Sequence, residues 1–239
     1  MIRESGEEPD SFVFRCNKTG FVLNLSGRVD LFLTQEVSMI PSERMDRAFA
    51  MARELHKDQK RKNIPTPFLS HPMTVASLVL ENSDDEDLVI IALLHDVVED
   101  AGGLPTLERV REQFGDRIAD GVNWLSDSSE SPRPPKRERN LAYMQKMLDA
   151  PEELVVVSCC DKIANLRSMA ADYLILGDAI WSAYSLPPEE TVANYQNLLK
   201  IYKQRLGNHR VVMLLVQALT TVCEIYNKFV ENNKSKGKS

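Results

Sequence analysis

Thirteen residues near the middle of the chain, Leu88-Val89-Ile90-Ile91-Ala92-Leu93-Leu94-His95-Asp96-Val97-Val98-Glu99-Asp100, run straight from apolar side chains into an imidazole and three carboxylates. A helix that is hydrophobic on every side has no face for water and must be buried. Ionisable groups carried into such a place have to be paired, hydrogen-bonded or bound to a metal, because desolvating an isolated charge is prohibitive. The segment therefore predicts a core helix around which the others pack, with a candidate active site at its C-terminal end.

The flanking sequence is written in helical periods. Ser42 can cap a helix with Met45, Phe49, Ala52 and Leu55 on one stripe, and a polar basic loop, Lys57 to Pro67, follows it. A second helix is expected from about Pro72 to Asn82 with His71 just before it, since proline is welcome in a first turn. Asp84 or Asp85 then caps the apolar helix, and Gly102-Gly103 closes its neighbourhood. Short helices are expected over Thr106 to Phe114 and Asp116 to Leu125, a Ser/Asp/Glu/Pro-rich loop over Ser126 to Pro135, and a charged helix over Lys136 to Asp149. Pro151-Glu152-Glu153 opens a further helix. Its run Leu154 to Cys160 is rich in valine and also fits a strand, but no partner strand is at hand. Helices over Pro188 to Arg205 and Asn208 to Asn232 complete an all-α chain. Residues Phe12 to Val37 alternate loosely, as a small hairpin or a poorly ordered extension would.

Length and charge narrow the function. A chain of 239 residues, 43% hydrophobic, builds one substantial core. A net charge of −6 argues against nonspecific nucleic-acid binding, though a local basic patch can still serve a small phosphorylated molecule. The four cysteines, Cys16, Cys159, Cys160 and Cys223, show no CxxC spacing, and two lie side by side in an apolar stretch, as reduced core thiols do. The acidic N-terminus does not resemble a secretion signal, and no apolar run is read as membrane-spanning. A cytoplasmic protein with no membrane partner is the expectation; the oligomeric state is left open.

Three separated places supply metal ligands: His71, the pair His95-Asp96, and Asp161 in the second buried run. Any one of them reads as readily as a core histidine or a buried ion pair. Four such groups in apolar contexts would each need a separate explanation. Imidazole with carboxylate suits zinc, manganese or iron. Adjacent helical residues point about 100° apart, so His95 and Asp96 share one ion only if both flank it. Glu99 lies at i+4 from His95 and i+3 from Asp96, where it can handle protons; Asp100 is the second candidate, and both also read as a solvated helix end.

The order His71, His95-Asp96, Asp161 is that of the HD phosphohydrolases. The segments Gln59-Lys60-Arg61-Lys62, Pro67-Phe68-Leu69-Ser70-His71-Pro72-Met73-Thr74-Val75-Ala76, Ala92 to Asp100, and Asp161-Lys162-Ile163-Ala164-Asn165-Leu166-Arg167 together resemble the hydrolase domain of the Rel/SpoT family, which includes small stand-alone alarmone hydrolases. The resemblance covers roughly Met45 to Leu206. It implies a helical bundle with a central metal, one Mn²⁺ held by His71, His95, Asp96 and Asp161, and Glu99 and Asp100 activating and steering water. It implies substrate contacts from Arg61, or else Lys60 or Lys62, from Asn165 one turn beyond Asp161, and from Tyr195, which equally fits an ordinary core tyrosine.

The implied reaction is removal of the 3′-pyrophosphate from ppGpp or pppGpp, giving GDP or GTP and pyrophosphate. Rival readings are an HD phosphohydrolase acting on a nucleoside monophosphate or NADPH, and a noncatalytic nucleotide-binding regulator. Val97 stands where the family commonly has threonine and Ala164 where an aromatic is frequent, so one hydroxyl and part of a base pocket differ. Lys136, Arg137 and Arg139 either receive the anion or form a solvated charged face, the latter being the preferred reading. The domain plan is an extension over 1–40, the HD domain over 41–206, a C-terminal helix over 207–232 packed on it, and a disordered tail over 233–239.

Overall fold

The computed structural model describes residues 42–128 and 132–236 and, within the first 41, the backbone of 12–16, 19–23 and 29–32. The chain divides into two compact units, Met1–Ile40 and Pro41–Ser239. In the first unit, strands β1 (Phe12–Cys16), β2 (Thr19–Leu23) and β3 (Val29–Phe32) form an antiparallel sheet in sequence order, with Phe14 opposite Phe21 and Leu23 opposite Val29. The hairpin expected here is thus joined by a third strand.

The second unit is entirely helical among its described residues. It comprises α1 (Glu43–Leu55), α2 (Ser70–Leu80), α3 (Glu86–Leu94), α4 (Val97–Asp100), α5 (Leu104–Phe114), α6 (Asp116–Leu125), α7 (Lys136–Asp149), α8 (Glu152–Leu176), a 3₁₀ turn (Gly177–Ala183), α9 (Pro188–Leu206) and α10 (Arg210–Lys236). Every residue of α3 from Leu88 to Leu94 is buried, and α1, α2, α6 and α8 pack around it. The valine-rich run is helical: Leu154 to Asp161 is one continuous buried stretch of α8, which α2, α9 and α10 cover. With no strand to pair with in this unit, intrahelical hydrogen bonds satisfy its backbone.

Local chemistry sets the ends. Ser42 caps α1, its hydroxyl accepting from the Arg44 amide at 3.1 Å, and also donates to Glu86 at 2.5 Å, tying the start of α1 to the start of α3. Asp85, of the two candidate caps, accepts from the Asp87 amide at 2.9 Å. The core stripe of α1 is Ala48, Met51 and Ala52, whereas Phe49, expected inside, is exposed. Helix α2 begins two residues earlier than expected, so His71 sits within its first turn.

Helix α10 runs to Lys236, past the Asn232 end read from sequence, so Lys234 and Ser235 of the expected tail are helical; 237–239 lie outside the described residues. By length and composition Arg210–Ser235 is apolar enough to cross a membrane, a property the sequence reading missed. In this fold its stripe Val211, Leu215, Leu219 and Val222 is buried, as in the core helix of a globular domain.

Candidate metal centre and active site

The apolar helix does not carry straight through to Asp100. It ends at Leu94, and Asp96 sits at φ −94°, ψ −5° as the entry to the single turn α4. The break overturns the expectation of one regular helix. It sets His95 and Asp96 in a turn between the two helices, with His95 Nε2 3.2 Å from Asp96 Oδ1. Two glycines after α4 turn the chain away; Gly102 has φ +123°, and a Cβ there would stand 2.5 Å from Thr106 Oγ1.

His71 from α2 and Asp161 from α8 complete the cluster. His71 Nε2 lies 3.2 Å from His95 Nε2, 3.3 Å from Asp96 Oδ2 and 3.1 Å from Asp161 Oδ1, and His95 Nε2 lies 3.8 Å from the same Asp161 oxygen. Ligand atoms of His71, His95 and Asp161 all fall within 4.8 Å of one another, and these three residues are buried. His95 Nδ1 is 2.8 Å from the Ala92 carbonyl, to which it can only donate, so in the neutral imidazole Nε2 carries the lone pair that faces the cluster. Two imidazole nitrogens and the Asp161 carboxylate held this close, with Asp96 against both histidines, suit a borderline divalent cation.

Charge reinforces the geometry. Burial pushes Asp161 up, but Lys162 and the two histidines outweigh it and hold the carboxyl well below its usual range. Burial likewise opposes the ionisation of Asp96, and His95 and His71 carry it low. His95 is pulled the other way: desolvation would lower it, and the charges of Asp96 and Asp161 raise it well above the ordinary imidazole value.

Glu99 and Asp100, on α4, stand beside this cluster. Burial, with the nearby charges of Asp96 and Asp127, pushes Glu99 up to about 7. Its carboxylate accepts from the Asp127 amide and, at 2.7 Å, from Arg133 Nη2. Burial and Asp96 also raise Asp100, whose Oδ1 is 3.5 Å from Arg133 Nη1.

Asp127 and Arg133 are absent from the sequence reading. Asp127 gathers Arg133 at 2.7 Å, Lys136 at 3.1 Å and Arg139 into one ion cluster behind Glu99. Lys136 and Arg139 are therefore committed to Asp127 in a partly buried scaffold, and only exposed Arg137, paired with Glu190 at 2.6 Å, fits the solvated face preferred from the sequence. The one sequence signal for Asp127 was its place at the end of α6 ahead of a run of basic residues.

The basic loop reaches the same site from the other side. Arg61 donates to Asn165 Oδ1 at 3.1 Å, and Asn165 donates to Asp161 Oδ1 at 2.5 Å, so a turn of α8 carries Asp161 and Asn165 on one face. The Arg61 guanidinium stands 5.7 Å over the Phe68 ring, which fixes its direction. Gln59, another residue whose part the sequence did not reveal, donates to the Asp100 carbonyl at 2.6 Å while its own carbonyl oxygen meets His56 Nδ1 at 2.8 Å. Lys60 and Lys62 are exposed, and Lys62 acts on Asp100 through its charge. Tyr195 on α9 is partly buried, and burial pushes its hydroxyl up; Lys162, Tyr184 and Arg61 are among the groups whose charge it feels.

The HD domain family matches residues 48–175, a span that holds His71, His95, Asp96 and Asp161. The chain belongs to the HD-domain family. This HD protein is 31% identical over 140 residues to a probable guanosine-3′,5′-bis(diphosphate) 3′-pyrophosphohydrolase of Synechocystis sp., covering 57% of this chain and 18% of that protein. It is 26% identical over 175 residues to the bifunctional (p)ppGpp synthase/hydrolase SpoT of Escherichia coli, covering 71% of this chain and 22% of the relative. The chain thus spans about a fifth of the length of these relatives. Among solved structures its fold resembles that of a metazoan ortholog of SpoT, described as hydrolysing ppGpp, with a TM-score of 0.64 at 21% identity over 77% of this chain and 97% of the other.

Proposed function

We propose that this HD protein is a metal-dependent hydrolase that removes the 3′-pyrophosphate of ppGpp or pppGpp, leaving GDP or GTP. The observation that carries the reading is a water-handling pair, Glu99 and Asp100, held beside four converging His and Asp ligands; a binding module has no need of the pair. The curated relatives, named for this reaction, support the substrate. In this reading His71, His95, Asp96 and Asp161 hold one Mn²⁺. When bound, the ion neutralises phosphate charge and makes water more acidic.

The chain's own residues do the rest. Glu99, poised near neutrality, accepts the proton of the attacking water, and Asp100 orients it. Arg61 grips phosphate oxygens with its planar fork, Lys62 adds charge at the rim, Asn165 faces the nucleotide and Tyr195 lies against the ribose. Exposed Lys62 is the weaker of the two cations, because solvent screens it. The buried reduced thiols Cys159 and Cys160 fit a cytoplasmic setting.

The test is a nucleotide panel. Purified protein with Mn²⁺ is offered ppGpp, a nucleoside 5′-monophosphate and NADPH, and pyrophosphate and inorganic phosphate are both quantified. Pyrophosphate from ppGpp is expected, with Arg61→Ala lowering kcat/KM on ppGpp far more than on a nucleotide without the 3′ group. Release of inorganic phosphate alone, or equal loss on both substrates, contradicts the alarmone reading; no turnover of any substrate contradicts the hydrolase reading.

A further inference from the structure

The two oxygens of Asp161 are divided between opposite neighbours. Oδ1 faces His71, His95 and Asn165. Oδ2 is taken by Lys162 Nζ at 2.5 Å. The Lys162 side chain is only 18% exposed, and its ammonium lies 4.6 Å from the centroid of the Tyr143 ring. That ring is itself locked, its hydroxyl 2.6 Å from Ser158 Oγ, which is 2.7 Å from the Tyr202 hydroxyl. A strongly hydrated ammonium is costly to bring so far from water, and here a carboxylate and an aromatic face offset the loss.

We propose that Lys162 is a positioning residue that confines Asp161 to one oxygen at the ligand cluster and adds one unit of positive charge beside the loaded centre. Two carboxylates would cancel a divalent cation; the ammonium restores one unit of positive charge beside it. That charge weakens the hold on the metal and strengthens the pull on a polyanionic substrate, because two cations separated by one carboxylate repel in a partly desolvated site. Removing an ordinary outer partner of a metal ligand lowers metal affinity, typically by about 10- to 100-fold. For Lys162 the sign is reversed.

The proposal rests on reading these residues as a metal centre, and the experiment separates the two. Mn²⁺ alone is titrated into metal-free full-length wild type, Lys162→Met, Lys162→Gln and Lys162→Arg, with folding followed by circular dichroism. Lys162→Gln can still donate to Oδ2 but carries no charge, so it separates charge from orientation. Both neutral variants are expected to bind Mn²⁺ more tightly than wild type, by on the order of tenfold. Lys162→Arg should stay near wild type, and the KM for ppGpp should rise in the neutral pair. Weaker or unchanged Mn²⁺ affinity in the folded neutral variants overturns the proposal. Loss of fold in both does so too, by assigning Lys162 to the core. A wild type that binds no Mn²⁺ instead defeats the metal reading itself.

Discussion

At the scale of single residues, Glu99 is where environment and chemistry meet most closely. Its carboxyl is raised from 4.5 to about 7, by burial first and the charges of Asp96 and Asp127 next. The folded protein therefore favours the acid form. The stability this contributes is complete below about pH 4.5 and is lost as pH rises through about 7. Glu99→Gln, neutral throughout, should make the metal-free protein more stable than wild type at pH 8 by about 1–3 kcal/mol and leave it unchanged near pH 4, measured by denaturant unfolding. An equal effect at both values would show that Glu99 ionises normally. The same variant should keep its metal and lose turnover by about 10²- to 10⁴-fold, because it can no longer accept a proton. Near-normal turnover would shift the role to Asp100. Arg133 lowers the pKa of Glu99 through its charge, so in Arg133→Gln the acidic limb of the kcat/KM profile should move to higher pH. A limb that stays put would mean that Arg133 only braces the loop.

Among the elements, most helices were legible because each carries an apolar period and a cap. Ser42, Asp85 and Pro151 mark starts that the structure keeps. The residues of the cluster were legible for the opposite reason: His95, Asp96 and Asp161 break an apolar pattern that admits no charge without a partner. Four features were not readable. The break between α3 and α4 has no Gly or Pro to announce it, and at it His95 Nδ1 meets the Ala92 carbonyl at 2.8 Å. The roles of Asp127 and Arg133 come from a loop with no periodicity, and that of Gln59 from a contact 41 residues away in sequence. The 3₁₀ turn Gly177–Ala183 is too short to show a period. The packing of α6 on α3 supplies a test at this scale. Gly121 lets the two helices approach so closely that a Cβ there would lie 2.4 Å from Ile91 Cδ1 and 3.3 Å from Leu154 Cδ2. Gly121→Ala is expected to destabilise the protein by about 1–3 kcal/mol through overpacking, despite the better helix propensity of alanine. Unchanged or greater stability would mean that Ile91 simply rotates away.

For the molecule as a whole, the arrangement is a helical unit whose most apolar helix ends at its most polar point. His71 comes from α2, His95 and Asp96 from the turn that follows α3, and Asp161 from α8 much further along the chain, so the cluster exists only once these helices have packed. Metal binding should then be coupled to folding, and chelation should lower the unfolding midpoint. Every functional statement above depends on His71, His95, Asp96 and Asp161 acting as one site for one ion. The most direct test is elemental analysis of wild type and His95→Ala purified in Mn²⁺ and desalted, with folding checked on both. The expected result is about one equivalent of Mn²⁺ per chain in wild type and almost none in the folded variant. Equal metal in the two proteins, or none in wild type, would contradict the account.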